Sequence, residues 1–228
     1  MSILFITGAG ISAPSGIPTY RGDNDSLYNN EDHMNLMHID SLNTAEGCTK
    51  VREHMDKWKE LISSKEPNEA HNIVREMVER HSGIVLTQNV GNLHERSGLS
   101  SDDVFHLHGS LFGPYKEGFE AEKIYDVVLF GDDVKDETTV QAMKIRDSEV
   151  TVLVGTSLTV FSPLYYLSPD KPIYIINKDP EPVVETLKHI YDGIELDIHT
   201  IQKDVIEGLR EFKQIYNLKV IVVPTNKL

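Results

Sequence analysis

FITGAGISAPSGIPTYRG, residues 5 to 22, decides how this chain is read: an apolar run that begins at Ile3 stops at a glycine, and Gly8, Gly10 and Ala13 then fall in a G-x-G-x-x-A pattern. Glycines in that place let the backbone approach a pyrophosphate closely, and a helix start after them offers unpaired N–H groups to it. A tight strand-to-helix turn with no ligand uses the same residues, so the short pattern leaves both readings open. A hydride-transferring dehydrogenase adds a second strand that ends in an acidic residue about 20 positions on, to hold the ribose. Here that window is the polar stretch from Asp23 to Asp32, with no strand before any acid, which disfavours the dehydrogenase layout.

Outward from this turn, Ile3 to Ile6, Ile84 to Leu86, Val150 to Val154 and Ile173 to Ile176 are short β-branched-rich runs that predict parallel strands buried on both faces. Apolar stripes at helical spacing lie between and after them. They run through Cys48, Val51, Met55, Trp58 and Ile62, through Ala70, Ile73, Val74, Met77 and Val78, through Val183, Val184, Leu187, Ile190 and Tyr191, and through Val205, Ile206, Leu209 and Phe212. Asn68, after Pro67, is the expected N-cap of the second helix. The alternation predicts an open, doubly wound α/β sheet. Residues 22–43 and 113–124 read as loops, the first as a mobile binding loop, and KVIVVPTNKL at the end reads as a possible last edge strand.

The 228 residues and their 39% apolar content suit one domain with one sizeable core. A formal net charge of −14 argues against binding to nucleic acid or to an anionic membrane, since both need a basic face. Cys48 is the only cysteine, so a disulfide framework and a thiolate zinc site within the chain are excluded, and a reducing, cytoplasmic setting is expected. No apolar run reaches the length of a membrane span.

IVLTQNVGNLHERSG, residues 84 to 98, is a strand that turns abruptly polar, with Gln88, Asn89, Asn92 and His94 around Gly91. Together with GAGISAPSGIPTYRG, HLHGS at 106–110, DVVLFGD at 126–132, VGTSLTVFSP at 154–163 and IIN at 175–177, it resembles the sirtuins, the NAD-dependent protein lysine deacylases. The likeness runs from Ile3 to about Phe212, with EPNEAHNIV in its family place before the second signature. It implies NAD as cofactor and an acylated lysine-containing protein or peptide as partner. In the family's reaction the acyl oxygen attacks the ribose carbon that bears nicotinamide, so the protein supplies a base and oriented groups rather than a nucleophile.

The resemblance makes His108 the base, with Asn89 beside it as the second catalytic residue. Gly8, Ala9, Gly10, Ser12, Tyr20, Arg21, Gln88, Asn89, Gly155, Thr156, Ser157 and Asn177 become NAD contacts. Val128, Phe130 and Gly131 become the edge to which a substrate peptide adds as a strand, opposite the segment around Leu158 to Val160. Each has a plainer alternative, a packed strand-end histidine for His108 and core packing for Val128 and Phe130. His106 makes an H-x-H pair with His108, but no third metal ligand has sensible spacing, so it reads as structural.

The chain departs from the family pattern in three places. Residues 111–127, LFGPYKEGFEAEKIYDV, stand where most sirtuins carry a four-cysteine zinc module; with no cysteine they read as its remnant, and no metal is expected. Gly91 takes the place of the family aspartate that contacts the nicotinamide carboxamide. No tyrosine occurs between Tyr28 and Tyr115, so a Tyr-x-x-Arg pair for acidic acyl groups is missing. The reading is therefore a minimal deacylase that releases nicotinamide and forms O-acyl-ADP-ribose. Alternatives that keep the fold are an NAD glycohydrolase or ADP-ribosyl transferase, and a non-catalytic NAD or ADP-ribose binder.

Overall fold

Ile3–Thr7 forms the central strand, β1, and all of its residues are buried, as a strand covered on both faces requires. The computed structural model describes residues 2–19, 31–132, 148–158 and 167–222. Along the chain follow α1 (Glu31–Leu36), α2 (Ala45–Ser63), α3 (Glu69–His81), β2 (Ile84–Thr87), α4 (Leu93–Arg96), β3 (Val104–His106), β4 (Tyr115–Glu117) and β5 (Lys123–Tyr125). The remainder is β6 (Val150–Val154), β7 (Ile173–Asn177), α5 (Glu181–Ile190), β8 (Ile198–Gln202) and α6 (Val205–Val222).

The main sheet has six strands in the order β3-β2-β1-β6-β7-β8, with every described pairing parallel. This is the doubly wound arrangement expected from the alternation of strands and helices. Successive β1 side chains point to opposite faces, so Ile3 and Phe5 pack with Val74, Met77, Leu209 and Phe212 of α3 and α6. Leu4 and Ile6 join Val183, Val184 and Leu187 of α5 on the other face. Phe5 and Phe212 meet edge to face, with ring centroids 6.2 Å apart.

Local chemistry fixes the helix ends. The Asn68 side chain accepts from the Ala70 N–H at 2.8 Å, and the His71 ring closes a capping box back to the Asn68 N–H, so Asn68 is the N-cap expected for α3. Thr44 caps α2 in the same way, accepting from Gly47 N–H at 3.0 Å.

Three expectations change. The β-branched run at 219–222 lies in α6, which extends the apolar stripe through Tyr216, while β8 occupies the sheet edge. Residues 115–125 are a small antiparallel hairpin, β4 with β5, rather than a loop. The second half of 22–43 holds α1 and a 3-10 turn over Ile39–Asn43; residues 22–30 lie outside the described part.

A third apolar cluster joins α2 to this hairpin and to the segment after it, through Val51, Met55, Ile62, Leu111, Tyr125, Val127 and Leu129. Polar contacts add to it. Tyr125 Oη donates to Asp56 Oδ1 at 2.5 Å, Arg52 pairs with Glu122 at 3.2 Å, and the Lys59 ammonium lies 4.9 Å from the Tyr125 ring centroid.

Candidate active site

The order of the sheet reverses between β1 and β6, and crevices at the carboxyl ends of strands at such a switch point are where open α/β sheets bind ligands. Two loops meet there. Gly8 N–H donates to Val154 O at 3.1 Å and Gly10 N–H to Gly155 O at 2.9 Å. A β-carbon on Gly10 would lie 2.7 Å from Gly155 Cα, and one on Gly8 would lie 2.7 Å from Thr156 Cβ. The glycines, with Ala9 between them, thus let the loop after β1 close on the loop after β6. Residues Ala9–Ile11 and Ala13–Ser15 are 3-10 turns, so the expected helix start after β1 is absent there.

Gln88 and Asn89 leave the end of β2 beside this contact. The Asn89 N–H donates to Thr87 Oγ1 at 3.1 Å, and its Nδ2 donates to Gly8 O at 3.0 Å. Gln88 Oε1 accepts from Thr156 Oγ1 at 2.5 Å, and Asn177 Nδ2, at the end of β7, donates to Thr156 O at 3.0 Å. Side-chain amides thereby stitch together the carboxyl ends of β1, β2, β6 and β7. Ser157 follows Thr156 and is exposed, while Tyr20 and Arg21 lie outside the described residues.

The two histidines of HLHGS grasp consecutive carbonyls of this segment. His108 Nδ1 lies 3.0 Å from Gln88 O, and His106 Nδ1 lies 2.9 Å from Asn89 O. A carbonyl only accepts, so each Nδ1 carries the hydrogen, and in neutral His108 the Nε2 keeps its lone pair. That Nε2 is buried and has no hydrogen-bond partner among the described residues. Burial holds the His108 imidazole below the usual 6.5, opposed in part by the bond to Gln88, so it is a neutral acceptor at physiological pH.

A buried polar line runs beneath. The Asn68 N–H donates to His71 Nδ1 at 3.3 Å, which leaves the other nitrogen, 3.4 Å from Ser12 Oγ, as a donor. Burial lowers His71 to about 4. Thr7 Oγ1 donates to Thr87 Oγ1 at 2.9 Å and lies 3.0 Å from His94 Nε2. His94, held neutral first by burial and then by the nearby His71 and His106, extends this support to the Asn89 N–H through Thr87. Thr7, Thr87 and His94 were not singled out as site residues in the sequence; a threonine ending each of two apolar strands was the signal available.

The segment after β5 alternates buried and half-buried residues. Val127 and Leu129 are buried in the third cluster, whereas Val128 and Phe130 are half-buried and Gly131 is exposed. The Phe130 N–H donates to Met37 O at 2.9 Å and its carbonyl accepts from Ile39 N–H at 2.8 Å, so this edge is already paired to the 37–39 segment on one side. Val128 N–H donates to His108 O at 2.9 Å, tying this segment to the main chain at His108. Gly91 lies under α2: a β-carbon there would sit 3.1 Å from Ile62 Cγ2. Among the described residues, no group of three or more His, Cys, Asp or Glu side chains is arranged to hold a metal ion.

Fold and site together define an open doubly wound α/β protein with a neutral imidazole at the amide-lined end of its switch-point crevice, its Nδ1 bonded to Gln88 O and its Nε2 without a partner among the described residues. The Sir2 family profile matches residues 8–115. A protein named NAD-dependent protein deacylase from Bacteroides thetaiotaomicron is 30% identical over 248 residues, which span 94% of this chain and 97% of that protein. One of the same name from Mycobacterium tuberculosis is 30% identical over 217 residues, 80% of this chain and 88% of its own length. Among solved structures, a Sir2 homologue–NAD complex aligns with a TM-score of 0.73 at 25% identity, covering 96% of this chain and 90% of that one. The chain belongs to the Sir2 family.

Proposed function

We propose that the chain is an NAD-dependent protein lysine deacylase that moves the acyl group from lysine to ADP-ribose and releases nicotinamide. The observation that carries this is His108: its Nδ1 is committed to Gln88 O, and its buried Nε2 has no hydrogen-bond partner among the described residues. The relatives' names and the length over which they match support the same reaction.

The residues fit NAD on this structure's own terms. An orphaned buried ring nitrogen on His108 and the side-chain amide of Asn89, oriented by its Nδ2 bond to Gly8 O, suit ribose hydroxyls, which both donate and accept. When bound, NAD supplies an electrophilic ribose carbon that bears nicotinamide as leaving group. Asn89 and Gln88 orient the ribose; Thr156 and Asn177 hold Gln88 and the loop after β6 in register. His108 Nε2 takes a ribose hydroxyl proton, and because burial keeps the ring neutral it is ready for that step without prior deprotonation. Val128, Phe130 and Gly131 present the edge for the acyl-lysine peptide, and the Val128 N–H bond fixes that segment to the main chain at His108.

The test is incubation with NAD and an acetyl-lysine peptide, with nicotinamide and deacetylated peptide both measured, for the wild type and for His108→Ala. Deacetylation is expected in the wild type and a loss of about 10²–10⁴-fold in the variant, the usual weight of a positioned base. Nicotinamide release that does not depend on peptide would instead establish the glycohydrolase reading. Tight ADP-ribose binding with no turnover on several acyl chains would establish a binder, a reading favoured by the packing of Ile62 over Gly91.

A further inference from the structure

His106 and His108 sit two residues apart and each holds one carbonyl of the Gln88–Asn89 pair, yet their second nitrogens differ. The Nε2 of His108 is open, whereas the Nε2 of His106 is closed by Glu95 Oε1 at 2.7 Å. Glu95 comes from the four-residue helix α4, eleven positions earlier in the chain. Its other oxygen, Oε2, is buried and has no partner among the described residues, so this carboxylate is committed to His106 alone. The pair is well shielded, with the side chains of His106 and Glu95 13% and 27% exposed, which keeps the contact from being screened away as a surface ion pair would be.

We propose that Glu95 and His106 are positioning residues for Asn89, and through it for the ADP-ribose part of NAD. The proposal rests on the NAD-binding reading given above. Asn89 is fixed by its N–H to Thr87 Oγ1, by its Nδ2 to Gly8 O and by its carbonyl to His106. The first two bonds come from the rim of the sheet itself. The third comes from a ring that Glu95 holds: carboxylate and carbonyl both accept, so Nε2–H donates to Glu95 Oε1, Nδ1–H donates to Asn89 O, and both ring nitrogens carry hydrogen. With all three in place the Asn89 main chain is held on both sides and its side-chain amide is oriented through Nδ2. The twin histidines thus divide two tasks over one strand end, His108 as base and His106 as clamp.

The test measures ADP-ribose affinity by calorimetry, which needs no turnover, beside KM and kcat with NAD and an acetyl-lysine peptide. His106→Ala is expected to weaken ADP-ribose about tenfold, the weight of one hydrogen bond to a charged group, and to raise KM for NAD by a similar factor. The KM for peptide should stay within about twofold of wild type. Glu95→Gln keeps an oxygen that accepts from Nε2–H and should lose only about threefold, whereas Glu95→Ala should approach His106→Ala. Wild-type ADP-ribose affinity in a folded His106→Ala, or an equal rise of KM for NAD and for peptide, would overturn the proposal. Should His106→Ala fail to fold, Glu95→Gln and Glu95→Ala decide the matter: affinities equal to wild type in both overturn it. A wild type that binds ADP-ribose but does not deacylate, with binding still weakened by His106→Ala, sinks the deacylase reading and upholds this one. A wild type that binds no ADP-ribose sinks both.

Discussion

The rim of the parallel sheet and the β4–β5 hairpin are built on opposite principles. At the rim, loops touch backbone to backbone through Gly8, Gly10 and Gly155, and the polar groups there are buried and mostly paired. The hairpin is joined to α2 partly by half-exposed polar side chains: Arg52 and Glu122, in their ion pair, are 34% and 37% exposed. The rim holds geometry by exclusion of space and water, whereas the hairpin is docked by contacts that are individually cheap to lose. The rim, proposed above to hold NAD, should therefore be stiff, and the edge after β5, proposed to take the substrate, adjustable.

The largest effect expected from this contrast is on acid stability. His71 takes its proton near 6.5 when unfolded and only near 4 when folded. Between those values the unfolded chain binds more protons, so stability falls as pH drops from about 6.5 to 4 and is flat in this respect below. The shift corresponds to about 3 kcal/mol for this fully buried ring. Chemical denaturation across that range should show the slope in the wild type and a flatter one in His71→Gln. An unchanged slope in that variant would show that His71 does not carry the acid sensitivity, and an unchanged slope in His94→Gln as well would break the contrast.

A smaller effect is expected at the hairpin. Tyr125→Phe removes the donor to Asp56 Oδ1 and should cost about 1–2 kcal/mol in denaturant unfolding. Because Val127 to Gly131 follow directly after β5, the variant should raise KM for the acyl peptide while KM for NAD holds. A rise in both would show that rim and hairpin move as one body. The smallest is Arg52→Ala, which removes a half-exposed ion pair and should change stability by less than about 1 kcal/mol. A larger loss on thermal melting would mean that the hairpin relies on its charges more than on the apolar cluster below it.

The sequence made the centre of the fold legible and its edges obscure, for a physical reason. β1, β2, β6 and β7 are apolar runs because both of their faces are covered. β3 has three residues and β8 is mostly half-exposed, so neither leaves a period that can be read without its neighbours. The β-branched tail around Val222 misled in the other direction, because continuation of the α6 stripe overrode local strand preference. At the site, His108, Gln88 and Asn89 were readable through the motif resemblance. The role of His106 was not, since it depends on a carboxylate from α4 and a carbonyl after β2 that only the folded chain brings within 3 Å. Tyr125 and Asp56 were hidden likewise, sixty-nine positions apart.

The contact between Ile62 and Gly91 has a further consequence, for the order in which substitutions can be made. An aspartate at 91 would bring its β-carbon to 3.1 Å from the Ile62 Cγ2 methyl, and Ile62 is buried at 4% exposure with little room to withdraw. The two positions are therefore coupled: a carboxylate at 91 needs Ile62 to give by a few tenths of an ångström, while trimming Ile62 alone opens a cavity. Gly91→Asp should accordingly cost less stability in an Ile62→Ala background than in the wild type, so the order in which the two substitutions are made matters.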